Sequence, residues 1–75
     1  MDRLTPRERD VARLVAEGLT NEMIGAALGI KHGTVKMNVI NILRKLGINK
    51  RSKLAVMFVQ SEHGQQPASE LQTNN

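Results

Sequence analysis

A glycine followed by an apolar residue occurs three times in this chain, as Gly18-Leu19, Gly29-Ile30 and Gly47-Ile48. Glycine readily adopts the left-handed backbone conformation that ends an α-helix, and the apolar residue after it packs back onto the last turn. Three such stops within the first 48 residues leave room only for short helices. The sequence therefore predicts an all-α fold whose helices are joined by tight turns.

The first helix has a strong start signal in Thr5-Pro6. Thr5 is an N-cap residue, Pro6 occupies the first helical position, where a missing N–H costs nothing, and Glu8 completes a capping box. We expect this helix to run to about Glu17 and to end at the first glycine stop.

The second helix is shorter and is capped by Thr20. Ile24, Ala27 and Leu28 are spaced to form its inward face. Gly25 lies inside this helix, where it costs about 1 kcal/mol relative to alanine. We therefore expect another backbone, such as that of the third helix, to approach Gly25 closely.

The third helix has two faces of different chemistry, and only a few residues separate it from the second, as in a helix-turn-helix. One face is apolar and is predicted to be core: Val35, Val39, Ile42, Leu43 and Leu46. The opposite face has cations, amides and apolar side chains but no carboxylate: Lys36, Met37, Asn38, Ile40, Asn41, Arg44 and Lys45.

The net charge of +4 is unevenly distributed. From Met1 to Glu22, four arginines meet five acids, whereas the segment from Met23 to Ser61 has seven lysines and arginines and no acid. A solvated helix surface usually mixes both signs. A field of one sign instead favours a polyanion, such as a phosphate backbone or an anionic lipid surface.

The composition argues against an enzyme or a metalloprotein. The chain has no cysteine, and His32 and His63 are too far apart for a local ligand pair. The carboxylates of the first helix have no partner for proton transfer, and no nucleophile motif is present. We therefore expect no catalytic residue, metal or cofactor. Without a membrane-length apolar run or a signal peptide, we expect a cytoplasmic protein.

A run of six apolar residues, 54–59, follows a basic connector and predicts a fourth helix capped by Ser52 or Asn49. A buried strand is the alternative, although nothing nearby supplies a strand to pair with it. Apolar residues around the whole helix imply one side in the core and the other against a partner, most simply a second copy. The polar sequence beyond it places the domain at 1–62 and predicts a disordered tail at 63–75.

The segments LTPRERDVARLVAEGLTNEMIGAALGI, TVK and NILRKLGI resemble the LuxR-type (FixJ/NarL-type) helix-turn-helix DNA-binding domain of bacterial transcription regulators. The resemblance extends from about Leu4 to Gln60, with these segments at the family's spacings. It implies a four-helix domain with the helix-turn-helix at about 21–40. Helix three would enter the major groove as the recognition helix, and helix four would form the dimer contact.

The resemblance and the polar face of helix three together give three groups of candidate residues. The candidates for reading bases are Lys36, Met37, Asn38, Ile40 and Asn41. The candidates for contacts with the sugar-phosphate backbone are Thr20, Asn21, Lys31, Thr34, Arg44, Lys45, Lys50 and Arg51. The candidates for the dimer contact are Val56, Met57, Val59 and Gln60.

Ile40 stands where many relatives have lysine or serine. With Met37 it forms an apolar pair that is suited to thymine methyl groups, which would favour A·T over G·C steps. In the alternative interpretation, Ile40 tucks beneath helix two and contacts no base.

The main hypothesis is sequence-specific binding of double-stranded DNA by a homodimer that regulates bacterial transcription. The target would be a partial palindrome with half-sites roughly one helical turn apart. RNA polymerase or a larger regulator would be further partners, and the protein would be nucleoid-associated when bound. One alternative is an interaction module that pairs through helix four with a larger regulator and inhibits it. A third is a membrane-surface helix, formed by the cations of Lys50–Lys53 beside the apolar run.

Overall fold

The computed structural model describes residues 3–64, with side chains to Ser61, and these residues form four α-helices. The helices are α1 (Pro6–Ala16), α2 (Asn21–Leu28), α3 (His32–Leu46) and α4 (Arg51–Gly64). This part of the chain contains no strand, and the apolar run 54–59 lies within α4. The predicted all-α, four-helix fold is confirmed, and the strand alternative for this run is wrong.

Local hydrogen bonds set the helix ends where the sequence predicts them. The Thr5 hydroxyl accepts from the Glu8 N–H at 3.1 Å, and the Glu8 carboxylate accepts from the Thr5 N–H at 2.9 Å, which completes the capping box. The Thr20 hydroxyl accepts from the Met23 N–H at 3.2 Å. The three stop glycines have the left-handed conformation, with φ of +91°, +70° and +68° in chain order.

The start and end of α4 differ from the prediction. The Lys50 carbonyl accepts from the amides of Lys53 at 3.1 Å and Leu54 at 3.2 Å. The first turn therefore closes on Lys50, and neither Asn49 nor Ser52 is the cap. The helix continues to Gly64, past the predicted domain boundary at residue 62, while 65–75 of the predicted tail lies outside the described residues.

The core takes side chains from all four helices. Ile24, Ile42 and Leu54 are fully buried, and they join α2, α3 and α4 around α1. Ala27, which was predicted to face inward, is exposed, because it lies about 60° from Ile24 on the side away from Gly25. The buried residues are Leu4, Glu8, Val11, Ala12, Leu14, Val15, Ile24, Gly25, Val35, Val39, Ile42, Leu54 and Phe58.

Gly25 permits the sharp turn between α2 and α3. A Cβ at this position would lie 2.7 Å from the carbonyl oxygen of Ile30 and 3.7 Å from the amide nitrogen of His32. The predicted close approach is confirmed: the nearest backbone is the turn itself, and the first residue of α3 follows. The glycine therefore fixes how closely α3 follows α2.

Replacing Gly25 with alanine is expected to destabilise the domain by about 1–3 kcal/mol, because the Ile30 carbonyl must move. Gly33→Ala is the matched control, since its Cβ would meet nothing within 4 Å. Because alanine is the better helix former, that control should be at least as stable as the wild type. Urea unfolding followed by circular dichroism measures both, and equal gains in stability would contradict the close approach.

Candidate nucleic-acid interface

Two opposite stripes run along α3, one buried and one exposed. The buried stripe consists of Val35, Val39, Ile42 and the half-buried Leu46. The second, which we call the outer stripe, has the same spacing and consists of Gly33, Met37, Ile40 and Arg44. Successive helical residues lie 100° apart, so an offset of two residues places the stripes nearly opposite each other. All four residues of the outer stripe are exposed, and α3 therefore presents a free edge to solvent.

The first turn of α3 is also open. Every residue from Lys31 to Thr34 is exposed, including His32. Lys31 occupies the N-cap position without a side-chain hydrogen bond to the helix. Lys36 is exposed beside the outer stripe. An α-helix is about 10–12 Å across with its side chains, close to the roughly 12 Å width of the DNA major groove.

Ile40 is 40% exposed and Met37 is 55% exposed. The alternative interpretation, in which Ile40 packs beneath α2, is therefore wrong. Its contact with a base remains a prediction. The two residues are one helical turn apart, so their side chains form a continuous apolar surface on the outer stripe.

Asn38 lies closer to the core than the sequence predicted. Its side chain is half-buried, and its amide nitrogen Nδ2 is buried without a hydrogen-bond partner. The physical reason is rotation about the helix axis, because Asn38 is only about 40° from Ile42 of the buried stripe. The prediction that Asn38 faces outward is wrong.

Lys45, a candidate for a phosphate contact, is bonded to α1. Its ammonium lies 2.7 Å from Oε1 of Glu8, which is buried, and Arg3 donates to its carbonyl at 3.3 Å. Glu8 thus caps α1 and holds the end of α3. The sequence indicates only the cap, because Glu8 and Lys45 are 37 residues apart and no local pattern connects them.

Burial by itself raises the pKa of Glu8. The hydrogen bonds from Lys45 and from the Thr5 N–H, together with the positive charge of Lys45, lower this pKa by more. The net result is a pKa below its ordinary value of 4.5. A carboxyl group with a lowered pKa in the folded state stabilises the fold above its unfolded pKa. This stabilisation is lost as the pH falls through the folded pKa.

Wild-type protein is therefore expected to lose stability more steeply below about pH 4.5 than Glu8→Gln, which keeps the hydrogen-bonding oxygen but not the charge. The free energy of unfolding is measured against pH for both proteins. Asp10, Glu17 and Glu22 are common to both, so the difference in slope isolates Glu8. Parallel curves would show that the ion pair does not contribute to stability.

A hydrogen bond joins the side chains of Arg51 and Asn21, two further candidates for phosphate contacts. The guanidinium of Arg51 donates to Oδ1 of Asn21 through Nη1 and to the carbonyl of Leu19 at 2.6 Å through Nη2. These bonds tie the start of α4 to the start of α2 across 30 residues of sequence. The hydroxyl of Thr20, another of these candidates, is used in its own cap.

The other candidates are distributed over two surfaces. Lys31, Thr34, Arg44 and Lys50 are exposed, and Asn41 is half-buried on α3. On α4, Val56 is 55% exposed, Val59 is 43% exposed, Gln60 is exposed and Met57 is half-buried. A shallow apolar groove beside these valines is lined by Ala16, Ala55, Val56, Val59 and Gln60.

Among the side chains that the structure describes, from Arg3 to Ser61, no group of histidine and acidic residues is arranged to hold a metal ion. No helix within residues 3–64 is long and apolar enough to span a membrane.

Residues 2–58 match the family described as "Bacterial regulatory proteins, luxR family". The nitrate/nitrite response regulator protein NarL of Escherichia coli K12 is 45% identical over 56 residues, which cover 75% of this chain and 26% of NarL. NarP of the same organism is 40% identical over 62 residues, covering 83% of the chain and 29% of NarP. The two-component response regulator PprB of Pseudomonas aeruginosa is 46% identical over 54 residues, which cover 72% of this chain and 20% of PprB.

The chain spans between a fifth and a third of the length of these relatives. The family match covers α1, α2, α3 and the part of α4 that reaches Phe58. It therefore includes both the turn at Gly25 and the outer stripe of α3. The chain belongs to the luxR family of bacterial regulatory proteins, and residues 2–58 are its helix-turn-helix DNA-binding domain.

Proposed function

We propose that this domain binds double-stranded DNA sequence-specifically as a two-fold homodimer and thereby regulates transcription. The observation that carries the proposal is the exposed outer stripe of α3, which lies in a segment with seven cations and no acid. In a helix-turn-helix domain the second helix of the motif lies in the major groove. The outer stripe would then face the bases.

The exposed residues divide by position into base-reading and phosphate-binding groups. Lys36, Met37 and Ile40 would face base edges. The half-buried Asn41 would form a hydrogen bond with an adenine or a phosphate beside them. Asn38 is left out of this group because its amide nitrogen is buried. Residues that would contact phosphates are Lys31, Thr34, Arg44 and Lys50.

Thr20, Asn21, Lys45 and Arg51 would act mainly by holding the framework, since each has a hydrogen bond within the domain. If the exposed Lys31, Arg44 and Lys50 each neutralise one phosphate, the logarithm of affinity should fall with log salt. The expected slope is about −2.7 per subunit and about −5.4 per dimer.

The exposed valines of α4 support a dimer contact there. Val56 and Val59 are large apolar side chains beside an apolar groove, with Gln60 at its margin and Met57 half-buried on the same helix. Covering these side chains with the same surface of a second copy gives a symmetric interface. Two recognition helices related by this symmetry would read a partial palindrome with half-sites roughly one turn apart.

The names of the relatives suggest the wider setting. NarL and NarP are named as nitrate/nitrite response regulators of a bacterium, and PprB as a two-component response regulator. By analogy, this domain would act on transcription in the bacterial cytoplasm, associated with the nucleoid when bound. RNA polymerase or a larger regulator would be its protein partners.

The test is a selection from a random duplex DNA library at near-physiological salt, with sequencing of the retained DNA. Enrichment of an inverted repeat with fixed spacing would support specific binding by a dimer. Retention without enrichment would contradict sequence specificity and leave only backbone binding. No retention would overturn the DNA proposal and favour the alternative that α4 pairs with a larger regulator, for which Val56 and Val59 are the supporting observation.

A further inference from the structure

The outer stripe has an apolar centre, a cationic C-terminal end and a glycine at its N-terminal end. Met37 and Ile40 occupy the centre, Arg44 lies at the C-terminal end, and Gly33 lies at the N-terminal end. Exposed large apolar side chains on a soluble domain often mark a contact surface when they are adjacent. Here the pair lies in the segment from Met23 to Ser61, which has no acidic residue to repel a polyanion.

We infer that Met37 and Ile40 select DNA half-sites by packing against thymine methyl groups in the major groove. This inference rests on the proposed DNA binding and adds to it the class of sequence that is read. The thymine C5-methyl is the apolar group that unmodified base pairs present in this groove. Met37 and Ile40 have no strong donor or acceptor, and the methyl group needs none, so the two apolar surfaces can pack directly against each other.

The same pair disfavours G·C steps at the positions that it covers. Guanine presents O6 and N7 acceptors there, and cytosine presents an N4 amine. Met37 and Ile40 offer these groups no strong hydrogen-bond partner, so covering them removes their water without a replacement, which is costly. A G·C pair also has no methyl group whose burial would offset that cost. Lys36, which is exposed beside the stripe, is placed to bond a guanine at the margin of the apolar pair.

Gly33 brings the apolar pair close to the bases. A Cβ at Gly33 would meet nothing within 4 Å, so the N-terminal end of the outer stripe is bare backbone with open space before it. A helix without a side chain at this point can approach the groove closely. Met37 and Ile40 are then the first large side chains of the stripe to project toward the bases.

The test replaces thymine with uracil in the selected half-site, which removes only the C5-methyl group. Burial of one methyl is worth about 0.8 kcal/mol, so each contacted thymine should weaken binding about four-fold when it becomes uracil. The same replacement outside the half-sites should change nothing. The affinity of the protein for each duplex is measured by fluorescence anisotropy.

The variant Met37→Ala with Ile40→Ala links this effect to the two side chains. It should bind thymine and uracil half-sites equally, because the methyl group then has no apolar surface to meet. Met23→Ala is the matched control, since Met23 is 51% exposed but lies on α2, and it should keep the wild-type ratio. The comparison for wild-type protein needs no variant, so poor folding of the double variant would not remove the test.

The possible outcomes distinguish failure of this inference from failure of the proposed DNA binding. Specific binding with equal affinity for thymine and uracil half-sites would overturn the inference and leave the proposed function standing. A selected half-site without thymine would overturn it as well. Failure to bind any duplex would overturn the proposed function itself.

Discussion

Replacing both Lys36 and Arg44 with alanine is expected to weaken binding to duplex DNA by on the order of a hundred-fold or more. A base contact of the kind proposed for Lys36 is worth about 1–3 kcal/mol, and a dimer would lose it in each subunit together with the phosphate contact of Arg44. Both side chains are exposed, and exposed substitutions usually change stability by less than about 0.5 kcal/mol. The loss of affinity should therefore come from the interface and not from unfolding.

Arg7→Ala with Arg13→Ala is the control for net charge. It removes the same two positive charges from exposed positions on α1, outside the acid-free segment. We expect near wild-type affinity, with a small loss from the general field of the protein, which salt screens. The affinity and its salt dependence are measured for all three proteins. Equal losses in the two variants would show that only net charge matters and that α3 does not dock.

The variant without Lys36 and Arg44 also separates DNA binding from pairing through α4. Sedimentation equilibrium should give the same oligomeric state for wild-type and variant protein, because Lys36 and Arg44 lie on α3. A shift in oligomeric state would place the contact between copies on α3 and contradict the assignment to α4.

Truncating Ile42 to alanine is expected to destabilise the domain by about 2–5 kcal/mol. Ile42 is fully buried and belongs to the stripe of α3 that faces the other three helices. A domain this small rarely has more than about 3–5 kcal/mol of stability in total. The variant should therefore be largely unfolded at room temperature.

Ile40→Ala is the matched control, because it makes the same chemical change two positions away on the same helix. Ile40 is 40% exposed, so its truncation removes less buried apolar area and should cost much less than that of Ile42. Urea unfolding followed by circular dichroism compares the two variants under identical conditions. Similar stability in both would show that the buried and outer stripes of α3 are assigned to the wrong faces.

The features that local interactions determine were predictable from the sequence. The capping box joins Thr5 and Glu8 within one turn, and the glycine stops depend on the conformation of single residues. The two faces of α3 follow from the 100° between successive residues, so the exposure of Met37 and Arg44 was predictable too. Even the close approach at Gly25 left a signal, because a glycine inside a helix needs a reason.

The sequence therefore determined the four helices, their order and the outward edge of α3. Only the tertiary structure decided which of the candidate phosphate-binding residues remain available for a contact with DNA. Lys45 pairs with Glu8 across 37 residues, and Arg51 bonds Asn21 across 30. Helix caps and periodicity arise within a few residues of the chain, whereas these pairs form only after packing has brought distant helices together.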